Sequence, residues 1–161
     1  MIFEEFKEYN LPLIGWTKLP KPPITEEDRL KYGSNSAESN SKFLRKLTQV
    51  GFKEKLSKGQ IPKENYQQYI DKCKFELDTI DELNFTDYML LIWKIIEKAK
   101  SFGEFIDYGR GSVGSSCVSW FLGISGCDPI KYKLFFSRFS SKARAESKIV
   151  DGQIWISNSL A

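Results

Sequence analysis

The chain has 161 residues, of which 41% are hydrophobic, 14% aromatic and 28% charged. That suffices for one domain with a real core, leaves little room for two, and excludes disorder along the whole chain. Lys and Arg number 24 against 21 Asp and Glu, a net charge of +3 too mild to mark a nucleic-acid binder by itself.

Residues 1–40 read as an irregular lead-in, because Pro12, Pro20, Pro22 and Pro23 break any periodic pattern. Thr25-Glu26-Glu27-Asp28 has the chemistry to cap a short helix toward Leu30. Ile14 and Trp16 are expected to pack on the body that follows. From Ser41 the signal turns helical: Phe43, Leu44, Leu47 and Val50 share one face, and Gly51 sits where a C-terminal cap belongs. Pro62 suits the first turn of the next helix. Along it Tyr66, Tyr69, Ile70, Cys73, Leu77, Ile80 and Leu83 form an apolar face, opposite a charged one of Lys72, Lys74, Glu76, Asp78 and Asp81.

Thr86 or Asp87 caps a further helix through Met89-Leu90-Leu91-Ile92-Trp93, Ile95-Ile96 and Ala99, ending at Gly103. Its middle is apolar nearly all round, so it is expected to be the central core element. Phe105-Ile106-Asp107-Tyr108 is a short β-prone stretch leading into Gly109-Arg110-Gly111-Ser112-Val113-Gly114-Ser115-Ser116. Cys117-Val118-Ser119-Trp120-Phe121-Leu122 reads as a buried helix ending near Gly123. Asp128-Pro129 pairs a cap with a first-turn proline for a helix through Phe139. Two β-prone runs around Asp151-Gly152, over 148–156, make a hairpin. The order of elements gives an α+β fold, mostly helical with a small mixed sheet, and the chain looks cut short.

Several chemistries fall away on residue content. The longest apolar run, at 89–93, is far short of the roughly 20 residues of a membrane span. The start, Met1-Ile2-Phe3-Glu4-Glu5-Phe6, is acidic and unlike a secretory leader, so a soluble, cytoplasmic protein is expected. There is no histidine, and Cys73, Cys117 and Cys127 show no C-x-x-C pairing. Zinc binding and His-assisted nucleophilic catalysis therefore have no ligand set or base here. Buried free thiols account for the cysteines.

One constellation remains. A strand that enters a Gly-Arg-Gly-Ser turn and opens a helix is built for an anion. Glycines let backbone N–H groups approach an oxyanion, the serine adds a donor, and a helix N-terminus adds positive potential. Arg110 offers a planar charged fork for phosphate. The spacing is not that of a Walker A loop. Tight packing of a helix on a strand by small residues is the other account of the same positions. Between residues 128 and 148, Lys131, Lys133, Arg138, Lys142, Arg144 and Lys148 stand against only Asp128 and Glu146. That run is either a solvated face or a nucleic-acid contact.

The ordered set Gly109-Arg110-Gly111-Ser112-x-Gly114-Ser115, Leu122-Gly123-Ile124, Asp128-Pro129-Ile130-x-Tyr132 and Leu134-Phe135-Phe136-x-Arg138-Phe139 resembles the palm of the C-family bacterial replicative DNA polymerases, the family of the DNA polymerase III alpha subunit. Leu77-x-x-Ile80, Phe85-x-x-Tyr88, Leu91-Ile92, Trp93 and Ala99-Lys100 match the helices that precede that motif, so the resemblance covers roughly residues 43–144. It implies a partial palm, like that of the β-nucleotidyltransferases, over residues 41–161.

In such a palm the turn would hold the triphosphate of an incoming dNTP, a role that falls to Gly109, Arg110, Gly111, Ser112 and Ser115. Arg138 would be a further triphosphate contact. Lys131, Lys133, Lys142, Arg144 and Lys148 would face DNA, although Ser140-Ser141-Lys142-Ala143 departs from the family pattern beside Arg144.

The family's next element carries an Asp-x-Asp pair for two magnesium ions. No Asp-x-Asp occurs in this chain, and Asp107 and Asp151 are isolated. Truncated before the catalytic strand, the chain alone is expected to be inactive, with no catalytic and no metal-binding residue of its own. Magnesium is expected only in the assembled polymerase. The expected partners are a complementary polymerase segment bearing the acids, primer–template DNA and a dNTP, with no membrane. A bacterial cell, with a phage-encoded or otherwise reduced polymerase, is the expected setting. The alternative is a stand-alone, non-catalytic palm mimic that binds DNA or replisome proteins.

Overall fold

The computed structural model describes residues 21–104 and 111–140, with the backbone of two short strands at 148–150 and 153–155. The expectations for Ile14 and Trp16 and for a strand at 105–108 lie outside these residues. The described body is helical. It comprises α1 (Glu26–Lys31), α2 (Asn40–Ser57), α3 (Tyr66–Glu82), α4 (Thr86–Ser101) and α5 (Cys117–Phe121), with 3-10 turns at Lys63–Asn65, Gly111–Ser115 and Phe136–Arg138.

The expected small mixed sheet is not seen, which overturns the α+β reading of the fold. Among the described residues the strands are β1 (Lys148–Val150) and β2 (Gln153–Trp155), one antiparallel pair with Val150 opposite Gln153. The pair therefore joins no parallel strand. These two strands flank the position of the expected hairpin, and the other regular elements among the described residues are helical.

Local chemistry explains most helix ends. Thr25 and Asp28 form a reciprocal capping box at α1, and Ser39 caps α2 by accepting from the Lys42 amide. Asn84 takes a left-handed φ of 56° after α3, and the Phe85 amide then reaches back to the Ile80 carbonyl at 2.9 Å. Gly103 closes α4 with a φ of 79°.

Three expectations change. Gly51 is not a cap, because α2 runs on for six residues to Ser57. A Cβ there would lie 1.9 Å from the backbone oxygen of Phe121, so this glycine lets the backbones of α2 and α5 touch. Asp128-Pro129 opens a single turn instead of a helix to Phe139. The Asp128 carboxylate accepts from the Ile130 and Lys131 amides, but Lys133 then adopts a φ of 53°, and the Leu134 amide bonds the Pro129 carbonyl at 2.8 Å. That closure ends the turn as soon as it has begun. Nor is α4 the centre: it buries Met89, Leu90 and Trp93 but leaves Ile95 more than half exposed. All five residues of α5 are buried, between α2 and α3.

Asp81 ties three helices together. Its carboxylate accepts from Arg45 and Ser41 of α2 and from Thr86 of α4, each at 2.7 Å. Burial alone would raise this carboxyl; the bonds from Thr86, Ser41 and Arg45 outweigh it and hold the group below the usual carboxylate range. At Asp28, burial is likewise outweighed by Lys94 and Thr25.

Two outcomes follow. G51A, which would relieve a mid-helix glycine elsewhere, destabilises this fold by about 3 kcal/mol, the scale of a severe overpacking, in urea unfolding. With folded-state values below the unfolded ones, Asp81 and Asp28 contribute stability at neutral pH that is lost as pH falls below about 4. D81N lowers stability at pH 7 and flattens that acid slope.

Candidate functional site

One face of α3 positions the whole segment 111–140. Residues three and four apart on a helix are neighbours, and Tyr69, Lys72, Cys73 and Glu76 form such a stripe. The Tyr69 hydroxyl donates to the Asp128 carboxylate at 2.7 Å in a buried contact, and burial together with that carboxylate pushes the phenol up. Lys72 lies 3.4 Å from the Leu134 carbonyl and 3.3 Å from the Glu76 carboxylate. Cys73 and Cys117 are buried free thiols; the neighbouring Cys73 thiol, then burial and Glu76, push Cys117 up.

Glu76 corrects the charged-face reading of α3. Its side chain is fully buried and accepts from the Ser116 hydroxyl at 2.8 Å and from the Cys117 and Val118 amides at 3.0 Å each. The first amides of a helix lack partners within it, and here a carboxylate from another helix supplies them. Burial drives the Glu76 carboxyl above its ordinary value, while the Val118 and Cys117 amides, Lys72 and the Ser116 hydroxyl oppose that rise. The residue stands seven positions after Tyr69 and three after Cys73, on the apolar stripe itself. Helical spacing could have singled it out.

Immediately before α5 lies the 3-10 turn Gly111–Ser115. Gly111 has a φ of 76°, where only glycine is at ease, although a Cβ there would meet nothing within 4 Å. Backbone conformation, not space, calls for the glycine. Gly111 and Ser112 are exposed, whereas Ser115 is buried and donates to the Ser112 carbonyl at 2.6 Å. Ser115 thus braces the turn from inside instead of facing a ligand. Because Glu76 occupies the α5 amides, the helix end adds no open positive pole, and the exposed part of the turn is the surface available to an anion.

The turn Phe136–Arg138 packs against Gly111–Ser115, and Arg138, like Gly111 and Ser112, is exposed. Lys131 and Lys133 are exposed on the preceding loop. Gly109, Arg110, Lys142 and Arg144 lie outside the described residues, as does the side chain of Lys148, whose backbone belongs to β1.

The family model of the bacterial DNA polymerase III alpha NTPase domain matches residues 42–152, a span that includes α2 to α5, both turns and β1. The chain belongs to that family. Relatives named DNA polymerase III subunit alpha include one from Ureaplasma parvum serovar 3, 36% identical over 125 residues, and one from Helicobacter pylori, 35% identical over 135 residues. Another, from Streptococcus pyogenes serotype M3, is 35% identical over 117 residues. The matches cover 76%, 82% and 73% of this chain but only 12%, 11% and 11% of those relatives.

Among the described residues no three His, Cys, Asp or Glu side chains stand close enough to share a metal ion. Glu76, Asp81 and Asp128 are each engaged by donors from other elements. No helix among the described residues is long and apolar enough to cross a membrane.

Glu76→Gln keeps one acceptor oxygen but turns an amide nitrogen toward donors. It is expected to cost about 1–3 kcal/mol, the penalty for orphaning a buried donor, and Glu76→Ala more. Urea unfolding followed by tryptophan fluorescence checks both, since Trp120 sits in α5.

Proposed function

We propose that this chain supplies the triphosphate-binding part of the palm of a C-family DNA polymerase. Gly111, Ser112 and Arg138 take the dNTP phosphates, with Gly109 and Arg110 flanking them. The observation that carries this reading is the packing of the Phe136–Arg138 turn on the Gly111–Ser115 turn, within a segment that the alpha-subunit family model spans. An exposed arginine on one turn and exposed glycine and serine amides on the turn it packs against would offer a polyphosphate a charged fork and short-range donors.

Lys131 and Lys133 would meet the phosphates of primer–template DNA, with Lys142, Arg144 and Lys148 continuing that surface. Ser115 is reassigned from direct contact to bracing. The acids that hold magnesium for nucleotidyl transfer would come from another polymerase segment, and this chain's own part is binding and orientation.

The experiment is dNTP binding by the chain and by Ser112→Ala and Arg138→Ala. Each variant is expected to bind roughly ten-fold more weakly, the loss of about one charge-assisted hydrogen bond. Adding a polymerase segment with the Asp-x-Asp pair should bring primer extension that both variants depress. Binding that is equal or undetectable in all three, even with that segment present, overturns the assignment. Firm DNA binding without any such gain would favour the non-catalytic mimic.

A further inference from the structure

Between α2, α4 and the end of α5 lies a cavity of about 280 Å³. Its charged lining is Glu54 and Lys55 of α2, Lys58 just beyond that helix, and Glu97 and Lys100 of α4. Both acids are engaged. Glu54 pairs with Lys58, one turn on, and Glu97 lies 3.4 Å from Lys100. Gly123 makes room for the Lys100 ammonium, since a Cβ there would sit 2.9 Å from it.

Lys55 is the odd cation of the group. Among the described residues it makes no ion pair, and its ammonium instead lies 5.0 Å from the ring centroid of the buried Trp120. Burial, then Lys58 and Lys100, push this lysine below its ordinary range, against the opposing pull of Glu54 and Asp128. An amine partly desolvated beside other cations is an activated nucleophile. Lys55 is only half-buried, and Lys58 and Lys100 are exposed, so a small reagent can reach all three from solvent.

We propose that Lys55 is an acylation site that takes its acyl group from a small acyl phosphate, whose phosphate Lys58 and Lys100 receive. The Lys55 ammonium releases a proton to water, and the free amine attacks the acyl carbonyl carbon. A C–N bond forms, and the C–O bond to phosphate breaks with its electron pair leaving on the phosphate. The surplus proton on nitrogen passes to that phosphate. The product is a neutral amide, and nothing is oxidised or reduced. Acylation thus removes the cation from the face of Trp120 in α5. The proposal stands apart from the polymerase reading and uses none of the residues given to the dNTP.

The test treats the whole chain with acetyl phosphate over a series of pH values, with the initial acetylation rate at each lysine read by peptide mass spectrometry. At neutral pH Lys55 is expected to react on the order of ten-fold faster than the exposed Lys53 and Lys63, the gain of about one charge-assisted contact to the phosphate. That advantage should narrow toward about pH 10.4, where any lysine offers a free amine. Inorganic phosphate should suppress acetylation at Lys55 and spare Lys53 and Lys63. Lys58→Gln with Lys100→Gln should slow Lys55 about ten-fold. Phosphate competition needs no variant, so it decides the point even where that pair of changes unfolds the chain. N-hydroxysuccinimidyl acetate, an uncharged donor, should show a smaller preference for Lys55.

Acetylation of Lys55 no faster than of Lys53 and Lys63 overturns the site. A preference untouched by inorganic phosphate, or as large with the uncharged donor, overturns the reception of an acyl phosphate by Lys58 and Lys100.

Discussion

A carboxylate buried without water is costly unless donors surround it, and Glu76 meets that condition with two amides, a hydroxyl and a nearby lysine. The arrangement binds in both directions. It gives the carboxylate its partners, and it gives a five-residue helix the cap that so short an element needs in order to exist. The turn Gly111–Ser115 ends directly before Ser116, so its place on the surface is set by that same contact. Tyr69 with Asp128, and Lys72 with Leu134, repeat the device farther along the stripe. One face of α3 is thus the template on which the segment 111–140 is laid.

This division of labour bears on how an anion could be recognised. Helix ends are ready-made anion sites, but that of α5 is filled from within. In the proposed site, recognition is left to exposed turn backbone and to a side chain from the neighbouring turn, with the capped helix as support beneath.

Much of the helical framework was legible from residue pattern. Thr25 and Asp28, Gly103 and Gly123 mark boundaries by local chemistry, and local chemistry is what a sequence displays directly. Two of the misread positions depend on distant partners. Gly51 has the composition of a cap, yet its role is set by the Phe121 backbone seventy residues away. Glu76 has the charge of a surface residue, and only its place on the stripe betrays burial. Asp128-Pro129 carries a proper helix start, but nothing in its composition shows that Lys133 will turn left-handed and stop it. Of the candidate site, the turn at Gly111–Ser115 was legible in its glycine and serine spacing, while the roles given to Gly111, Ser112 and Arg138 remain part of the proposal. The inward role of Ser115 and the carboxylate behind α5 needed three dimensions.

The bonds that hold the site in place span long stretches of chain: 40 to 42 residues from Glu76 to the start of α5, 59 from Tyr69 to Asp128, and 62 from Lys72 to Leu134. Those within and between α2, α3 and α4 range from five residues, Thr86 to Asp81, to forty-seven, Asn40 to Asp87. Loop closure must be met before distant contacts return anything, so the segment 111–140 gains its place on α3 only when those long loops close. Until then the α3 stripe is an uncovered apolar strip with a carboxylate at its centre. The turn just before α5 thus owes its place to a contact that reaches across forty residues of chain.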